Sequence, residues 1–166
     1  MKDLVELARL SPSSANLQAL KFIISCDEIK NAIIFNCLSW AGYIPDWQGP
    51  EEGERPAAYI IILGDKEIRP SFSVDAGIAA QSILLGATEA GLGGCMIGSV
   101  KKEKLREDLN IPNVYDILYV LAIGKPKEEV VIESTGEDGN IKYWRDENGV
   151  HHVPKRSLDE LILETF

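Results

Sequence analysis

The sequence has few of the residues that mark secreted, membrane-spanning or zinc-binding proteins. Its three cysteines, Cys26, Cys37 and Cys95, include no C-x-x-C pair, so we expect reduced, mostly buried thiols in a cytoplasmic protein, without a disulfide framework or zinc knuckle. The apolar runs 57–63 and 78–85 are too short to span a bilayer. The first residues lack the apolar core of a signal peptide. We therefore expect neither a secreted nor a membrane protein.

Basic residues are also few. The chain has 17 Lys and Arg against 26 Asp and Glu, a net charge of −9, and a nucleic-acid binder needs a clustered basic surface. The 166 residues are 45% hydrophobic, which suits one folded domain. We expect a single domain over 1–166, with a core to residue 126 and a C-terminal arm over 127–166.

Conventional catalytic groups are scarce. The only two histidines, His151 and His152, are adjacent in a predicted hairpin, so they should point to opposite faces of a strand and cannot serve one site. Ser13 and Ser14 could be nucleophiles only beside a base that the sequence does not supply. No carboxylate–histidine spacing suggests a metal site. We predict no catalytic side chain and no metal, so any chemistry would need a cofactor.

The pattern of apolar residues predicts an α/β or α+β protein with three or four core strands between helices. A capping box at Asp3 predicts a helix to about Leu10, and Asp27 predicts a helix to about Trp40. The other elements expected are buried strands at 21–26, 57–63, 95–98 and 115–123, and helices at 74–90 and 101–109. Weaker strands at 130–133 and 141–146, an Asn148-Gly149 hairpin turn and a short helix capped by Ser157 complete the prediction.

Two stretches suit a bound cofactor. The loop 12–18 presents the hydroxyl and amide groups of Ser13, Ser14, Asn16 and Gln18, which suit the polar edge of a heteroaromatic ring and a polyol chain. A turn that only caps its own backbone is an equal alternative. The glycines of 91–94 and the Gly98-Ser99 pair let backbone approach a ligand, although a helix C-cap explains part of this run. Because the glycines close a helix instead of opening one, a Rossmann site is not expected.

Two further segments are weaker candidates. Lys155 and Arg156 precede the last predicted helix and could bind a phosphate, although a solvated basic pair is the simpler alternative. The long loop 42–55 carries Tyr43 and Trp47, and loops of this length often line a pocket. A surface loop with one anchored aromatic is an equal alternative.

Together these motifs resemble the flavin-dependent nitroreductase family. The resemblance covers most of 4–126, and its quoted segments occur in the family's order: ARLSPSSANLQ at 8–18, DAGIAAQSILL at 75–85, GLGGCMIG at 91–98, the helix with Lys104-Leu105-Arg106, the turn Ile111-Pro112 and LAIGKP at 121–126.

The resemblance implies an α+β sandwich with a central mixed β-sheet flanked by helices, and a homodimer in which the C-terminal arm wraps the partner subunit and the helix from Val74 packs at the dimer axis. One FMN would lie at each end of the interface. Ser13, Ser14 and Asn16 would reach the flavin bound mainly by the other subunit, with Gln18 close to them. Backbone at Gly98 and Ser99 would face its N5/O4 edge, and Lys155 and Arg156 would contact its phosphate.

The activity that the resemblance implies is ping-pong transfer of electrons from NAD(P)H through FMN to nitroaromatics, quinones or similar small acceptors. No side-chain acid or base is required, since the flavin N5 takes the hydride. Tyr43 and Trp47 would line the acceptor pocket.

Two departures from the family pattern bear on this prediction. The family's N-terminal Arg cluster is missing, and Gln18-Ala19-Leu20 replaces the common Gln-Pro-Trp. A flavin-binding redox sensor or carrier without efficient turnover is therefore the alternative function. A specialised member that modifies a small molecule is a third, and we expect it least because no lid insertion is evident.

Overall fold

The computed structural model describes the backbone of residues 1–166 and every side chain except that of Ser73. The chain forms two compact units. The first comprises Met1–Trp40 and Pro50–Pro126, and the second comprises Ala41–Gly49 and Lys127–Phe166. The loop 41–49 is therefore grouped with the C-terminal segment and not with its neighbours in sequence.

The first unit is built on a four-stranded sheet in the order β1-β2-β4-β3. Its strands are β1 Leu20–Ser25, β2 Ala58–Asp65, β3 Gly93–Ile97 and β4 Tyr115–Gly124. The helices of this unit are α1 Lys2–Leu10, α2 Glu28–Phe35, α3 Ser73–Glu89 and α4 Lys102–Leu109, with a 3₁₀ turn at Ser14–Asn16. The α+β class expected from the sequence is confirmed.

All three strand pairings in this sheet are antiparallel, whereas we expected a mixed sheet. The connections β1 to β2 and β3 to β4 each return the chain to the end of the sheet that it left. Helix α3 connects β2 to β3 and returns the chain to the opposite end of the sheet, so β2 and β3 run in the same direction. They are not paired, because β4 lies between them. The sheet therefore contains two parallel strands, β2 and β3, but no parallel strand pair.

Strand β2 divides the core into two layers. All eight of its residues are buried, as the continuous apolar run predicted, and successive side chains point to opposite faces. Tyr59, Ile61 and Leu63 pack with residues of α2 and α4. Ile60 and Ile62 pack with residues of α1 and α3. A fully buried isoleucine contributes about 1.5–3 kcal/mol to folding, so β2 anchors both layers.

Two helix ends differ from the prediction. Helix α1 begins at Lys2 without a side-chain cap, so Asp3 lies inside the helix and is not its N-cap. The Glu6 carboxylate pairs with Arg9 at 2.6 Å. Helix α2 ends at Phe35 and not near Trp40. Residues 36–37 form a turn, and Leu38 then forms an isolated antiparallel bridge with Val100, outside the named strands.

Strand β3 is more exposed than predicted. Gly94, Cys95 and Met96 are exposed because β3 has only one neighbouring strand, β4. Cys26 is also exposed, and only Cys37 is buried. The prediction of mostly buried thiols was therefore wrong: the periodicity of a short apolar strand does not reveal whether it lies at the edge of a sheet.

The second unit holds a three-stranded sheet in the order β5-β7-β6. Its strands are β5 Val130–Ser134, β6 Trp144–Arg145 and β7 His151–Lys155, followed by the helix α5 Leu158–Leu161. The hairpin between β6 and β7 is confirmed, with Gly149 at φ 79°, although β6 is shorter than the predicted 141–146. The capping box between Ser157 and Glu160 is also confirmed.

None of the helices in the described part of the chain has the length and apolar character needed to cross a membrane.

Candidate functional site

The loop between α1 and β1 has an unusual backbone. Ala15, Asn16 and Gln18 have φ values of 49°, 54° and 51°, in the left-handed region that costs non-glycine residues of order 1–3 kcal/mol each, with less for asparagine. Three such residues within four positions persist only where surrounding contacts hold them. Backbone strain of this kind clusters at ligand-binding segments.

The contacts that hold this loop come from serine hydroxyls and a buried carboxylate. The Ser14 N–H and hydroxyl both donate to Asp75 Oδ1, at 3.0 and 2.9 Å. The Ser13 hydroxyl accepts from the Gln18 N–H at 3.2 Å, and Gln18 Nε2 donates to the Asn16 carbonyl at 3.3 Å. The self-capping turn considered from the sequence is therefore present. It leaves the Asn16 side chain exposed to solvent.

Asp75 is the ionised anchor of the loop. It lies in the first turn of α3 and is only 2% exposed, with Arg69 Nη1 3.3 Å from Oδ2. Burial alone would raise the pKa of Asp75, but the hydrogen bonds from Ser14 and the charge of Arg69 together lower that pKa below its ordinary value. The carboxylate is thus charged at neutral pH and accepts both hydrogen bonds from Ser14.

A pocket of about 410 Å³ opens beside this loop. Its apolar side is formed by residues of α1, β1 and α3, namely Val5, Ala8, Leu20, Phe22, Ile24 and Ala79. Its polar side includes Ser13, Gln18 and Asp75 from the loop and its anchor, and Lys2, Glu6 and Arg9 from α1. An apolar floor with a few convergent polar groups suits a planar heteroaromatic ring.

Gly98 and Ser99 lie at a different edge of the sheet. They follow β3, whereas Gln18 precedes β1, and these are the two outer strands. Three strand spacings separate β1 from β3, about 14 Å. Both residues are exposed, and a Cβ at Gly98 would come no closer than 3.7 Å to the Tyr119 ring. One copy of the chain therefore does not bring these two predicted segments together.

Tyr43 and Trp47 lie in the second unit and contact its C-terminal segment. The Tyr43 N–H donates to the Tyr143 hydroxyl at 3.3 Å, and the two rings are 4.9 Å apart. The Arg145 guanidinium lies over the Trp47 ring at 4.1 Å. Both aromatics thus pack against residues about 100 positions later in the sequence.

Lys155 and Arg156 are exposed at the end of β7. Arg156 Nη1 lies 3.5 Å from Glu160 Oε1, and the capping box occupies the N–H groups of Ser157 and Glu160 at the start of α5. Two N–H groups at this helix end are therefore already hydrogen-bonded, whereas both cationic side chains are exposed.

The histidines lie on opposite faces of β7, as predicted. His152 stacks on Trp144 and its Nδ1 is 2.5 Å from Glu133 Oε1. His151 packs edge-on against Tyr143. Among the described side chains, no group of three or more His, Cys, Asp and Glu residues is placed to hold a metal ion.

Asp75 and Arg69 are the residues that sequence reasoning missed. Asp75 is the first residue of the 75–85 segment that carries the family resemblance, but the sequence alone indicates no role for it. The available signal was a carboxylate at the start of a helix that is otherwise small or apolar, since a charge in such a position requires a partner.

The family model described as "Nitroreductase family" matches residues 1–125 of the chain. A relative in Archaeoglobus fulgidus, named as an NADH dehydrogenase/NAD(P)H nitroreductase, is 25% identical over 137 aligned residues, and the alignment covers 78% of this chain and 74% of the relative.

Two solved structures are also similar to this chain. An FMN-dependent nitroreductase from Clostridium difficile matches with a TM-score of 0.65 and 29% identity over 77% of this chain and 75% of its own. The NADPH:FMN oxidoreductase of Vibrio harveyi, solved with NAD⁺, shares the fold with a TM-score of 0.60 and 24% identity over 76% of this chain and 59% of its own.

Proposed function

This chain belongs to the nitroreductase family, which makes it an NAD(P)H-dependent oxidoreductase that uses FMN, and we propose that it passes electrons to nitroaromatics, quinones or similar small acceptors in a ping-pong reaction. FMN, when bound, supplies the redox chemistry, and the protein binds and orients it. This agrees with the position of both histidines, His151 and His152, in the second unit and outside the pocket.

The observation that carries this proposal is the strained loop 13–18, anchored by Asp75 and open to the pocket beside it. Its exposed amide and its hydroxyl groups offer both donors and acceptors, which a flavin ring and a ribityl chain require. Ser13, Ser14, Asn16 and Gln18 would bind these parts of FMN.

The phosphate of FMN would be bound by Lys155 and Arg156. Both side chains are exposed, and charge-assisted hydrogen bonds to phosphate are about twice as strong as neutral ones. Tyr43 and Trp47 would line the acceptor pocket.

We also propose a homodimer in the cytoplasm. The loop 13–18 and the Gly98-Ser99 pair lie at opposite edges of one sheet, so they can serve a single flavin only if two copies of the chain each contribute one segment. The exposed thiols of Cys26 and Cys95 favour a reducing compartment.

The test uses the purified full-length chain. A visible absorption spectrum is recorded before and after addition of FMN and desalting, and NADH and NADPH oxidation is then followed with a quinone and with a nitroaromatic. We expect retained flavin, oxidation above background and parallel double-reciprocal plots for the two substrates. Retained flavin with background oxidation would instead favour the redox sensor or carrier, and failure to retain FMN would contradict both functions.

A further inference from the structure

We propose that Asp75 is a positioning residue for FMN: by holding Ser14 through two hydrogen bonds, it sets the loop 13–18 in the conformation that binds the flavin. The inference rests on the proposed function and deepens it, because it gives the loop anchor Asp75 a role in FMN binding. Asp75 would act through Ser14 and need not touch FMN itself.

The hydrogen-bond partners of Asp75 distinguish a positioning role from that of a simple buried ion pair. The two oxygens of Asp75 have different partners: Oδ1 accepts from the backbone and side chain of Ser14, and Oδ2 faces Arg69. Of the two Asp75 oxygens, only Oδ1 contacts the loop. Arg69 balances the charge, and its guanidinium is 3.3 Å from the opposite oxygen.

The position of Ser14 constrains the next two residues of the loop. Ala15 and Asn16 are both in the left-handed region, which an alanine seldom adopts without external constraint. Ser14 lies directly before them, and its N–H and hydroxyl are held by a side chain 61 residues away that is itself almost fully buried. The position of the exposed Asn16 amide thus depends on helix α3, through the contact of Asp75 with Ser14.

The hydrogen bond also sets the chemistry that Ser14 can offer. Because an ionised carboxylate only accepts, the Ser14 hydroxyl must donate its single proton to Asp75. Its oxygen then has only lone pairs left for a ligand. Ser14 would therefore accept a hydrogen bond from a ribityl hydroxyl or from the flavin N3–H, and could not donate to a flavin carbonyl.

Two conservative substitutions distinguish positioning from charge balance. Asp75→Asn keeps an Oδ1 acceptor for Ser14 but loses the charge opposite Arg69. Asp75→Glu keeps the charge but moves the carboxylate outward by one methylene, which displaces Ser14. The matched controls are Asp65→Asn and Asp65→Glu, because Asp65 is also a buried carboxylate that accepts from a backbone N–H, at 3.1 Å from Glu67, and faces a cation, Lys21, at 3.9 Å.

The measurement is the dissociation constant of FMN, obtained from quenching of flavin fluorescence by the apo-protein at a temperature where circular dichroism shows each variant folded. We expect Asp75→Glu to raise this constant about tenfold or more and Asp75→Asn to leave it within about threefold of the wild type, with both Asp65 variants unchanged. Hydrogen exchange at the Ser14 amide should remain slow in Asp75→Asn and become fast in Asp75→Glu.

The opposite order, with Asp75→Glu binding like the wild type and Asp75→Asn tenfold weaker, would overturn the positioning role in favour of a structural ion pair. Equal affinities in all variants would also overturn it. If Asp75→Glu does not fold, Asp75→Ala takes its place because it also removes the acceptor for Ser14, and wild-type FMN affinity in Asp75→Ala would contradict the proposal. A wild type that binds no FMN would contradict the proposed function itself, which separates the two failures.

Discussion

Trp144 and His152 lie directly opposite each other on β6 and β7, and their rings stack with centroids 4.2 Å apart and planes 9° apart. This pair joins the two-residue strand β6 to the rest of the second sheet, with Trp144 half exposed and His152 partly buried. Stacked aromatic pairs contribute about 0.5–1.5 kcal/mol beyond the area they bury.

We expect a double-mutant cycle with Trp144→Ala and His152→Ala to show a coupling energy of about 1 kcal/mol. The measurement is urea unfolding of the four proteins. The matched control is the cycle of Trp144→Ala with His151→Ala, which should couple by less than about 0.5 kcal/mol because His151 points to the other face of β7. Equal coupling in both cycles would contradict a specific stacking contribution.

Substitutions of Asn16 separate its side chain from its backbone conformation. Asn16 has φ 54°, so Asn16→Ala should lose both the amide and some stability, about 1 kcal/mol. Asn16→Gly accepts this φ without strain and loses only the amide. If the amide binds FMN, both variants should weaken FMN binding, while only Asn16→Ala lowers the melting temperature. An Asn16→Gly variant with wild-type FMN affinity would remove the side chain from the site.

The phosphate assignment is tested by comparing FMN with riboflavin, which lacks the phosphate. We expect the double variant Lys155→Ala/Arg156→Ala to raise the dissociation constant of FMN about tenfold or more, since a charge-assisted hydrogen bond is worth about 1.5–3 kcal/mol, and to leave that of riboflavin unchanged. The control is Lys101→Ala/Lys102→Ala, an exposed lysine pair in the first unit. Equal weakening of both flavins would argue for a structural role instead.

Sequence patterns predicted the secondary-structure elements that are determined by residues close together in the sequence. The apolar run 57–63 required a strand buried on both faces, Asn148-Gly149 required a tight turn, and Ser157 with Glu160 required a capped helix. Each of these rests on residues within a few positions of one another. The composition of the loop 12–18 also indicates a binding segment, which stays a prediction.

The features that escaped prediction depend on residues far apart in sequence. The exposure of β3 follows from strand order, which periodicity does not give. The contact of Asp75 with Ser14 spans 61 residues, and that of Tyr143 with Tyr43 spans 100. Without strand order and tertiary contacts, neither a loop anchor nor the neighbours of the 42–55 loop could be derived.

The lowered pKa of Asp75 predicts a specific dependence of stability on pH. A carboxyl whose pKa is lower in the folded than in the unfolded state, near 3.9, adds stability above pH 4 to 5 that is lost as the pH falls through its folded pKa. We therefore expect Asp75→Asn to lower the free energy of unfolding by about 1–3 kcal/mol at pH 7, and this difference to shrink towards pH 3.

Urea unfolding of both proteins between pH 7 and pH 3 measures this difference. The control is Glu6→Gln, which removes a fully exposed carboxylate whose hydrogen bond with Arg9 lowers its pKa. Because solvent screens that pair, we expect little change in stability at any pH. A difference between wild type and Asp75→Asn that does not vary with pH would mean that the charge of Asp75 does not stabilise the fold.

The last prediction concerns a buried hydroxyl in the core of the first unit. Tyr59 is 1% exposed, and its hydroxyl has no hydrogen-bond partner among the described residues. Burial raises the pKa of Tyr59 to about 12, against a smaller opposing effect of the Arg55 charge. An unsatisfied buried hydroxyl costs about 1–3 kcal/mol of desolvation, so Tyr59→Phe should keep the packing of β2 and leave stability unchanged or raise it by up to about 1 kcal/mol.

Thermal and urea unfolding check this expectation, with Tyr119→Phe as the control because Tyr119 is only partly buried on the neighbouring strand β4. A spectrophotometric titration of the wild type should also show one tyrosine that ionises near pH 12 and is missing in Tyr59→Phe. If Tyr59→Phe instead lowers the free energy of unfolding by more than about 1 kcal/mol, the Tyr59 hydroxyl must form a hydrogen bond within the folded protein in solution. A polar contact would then stabilise β2 in addition to its apolar side chains.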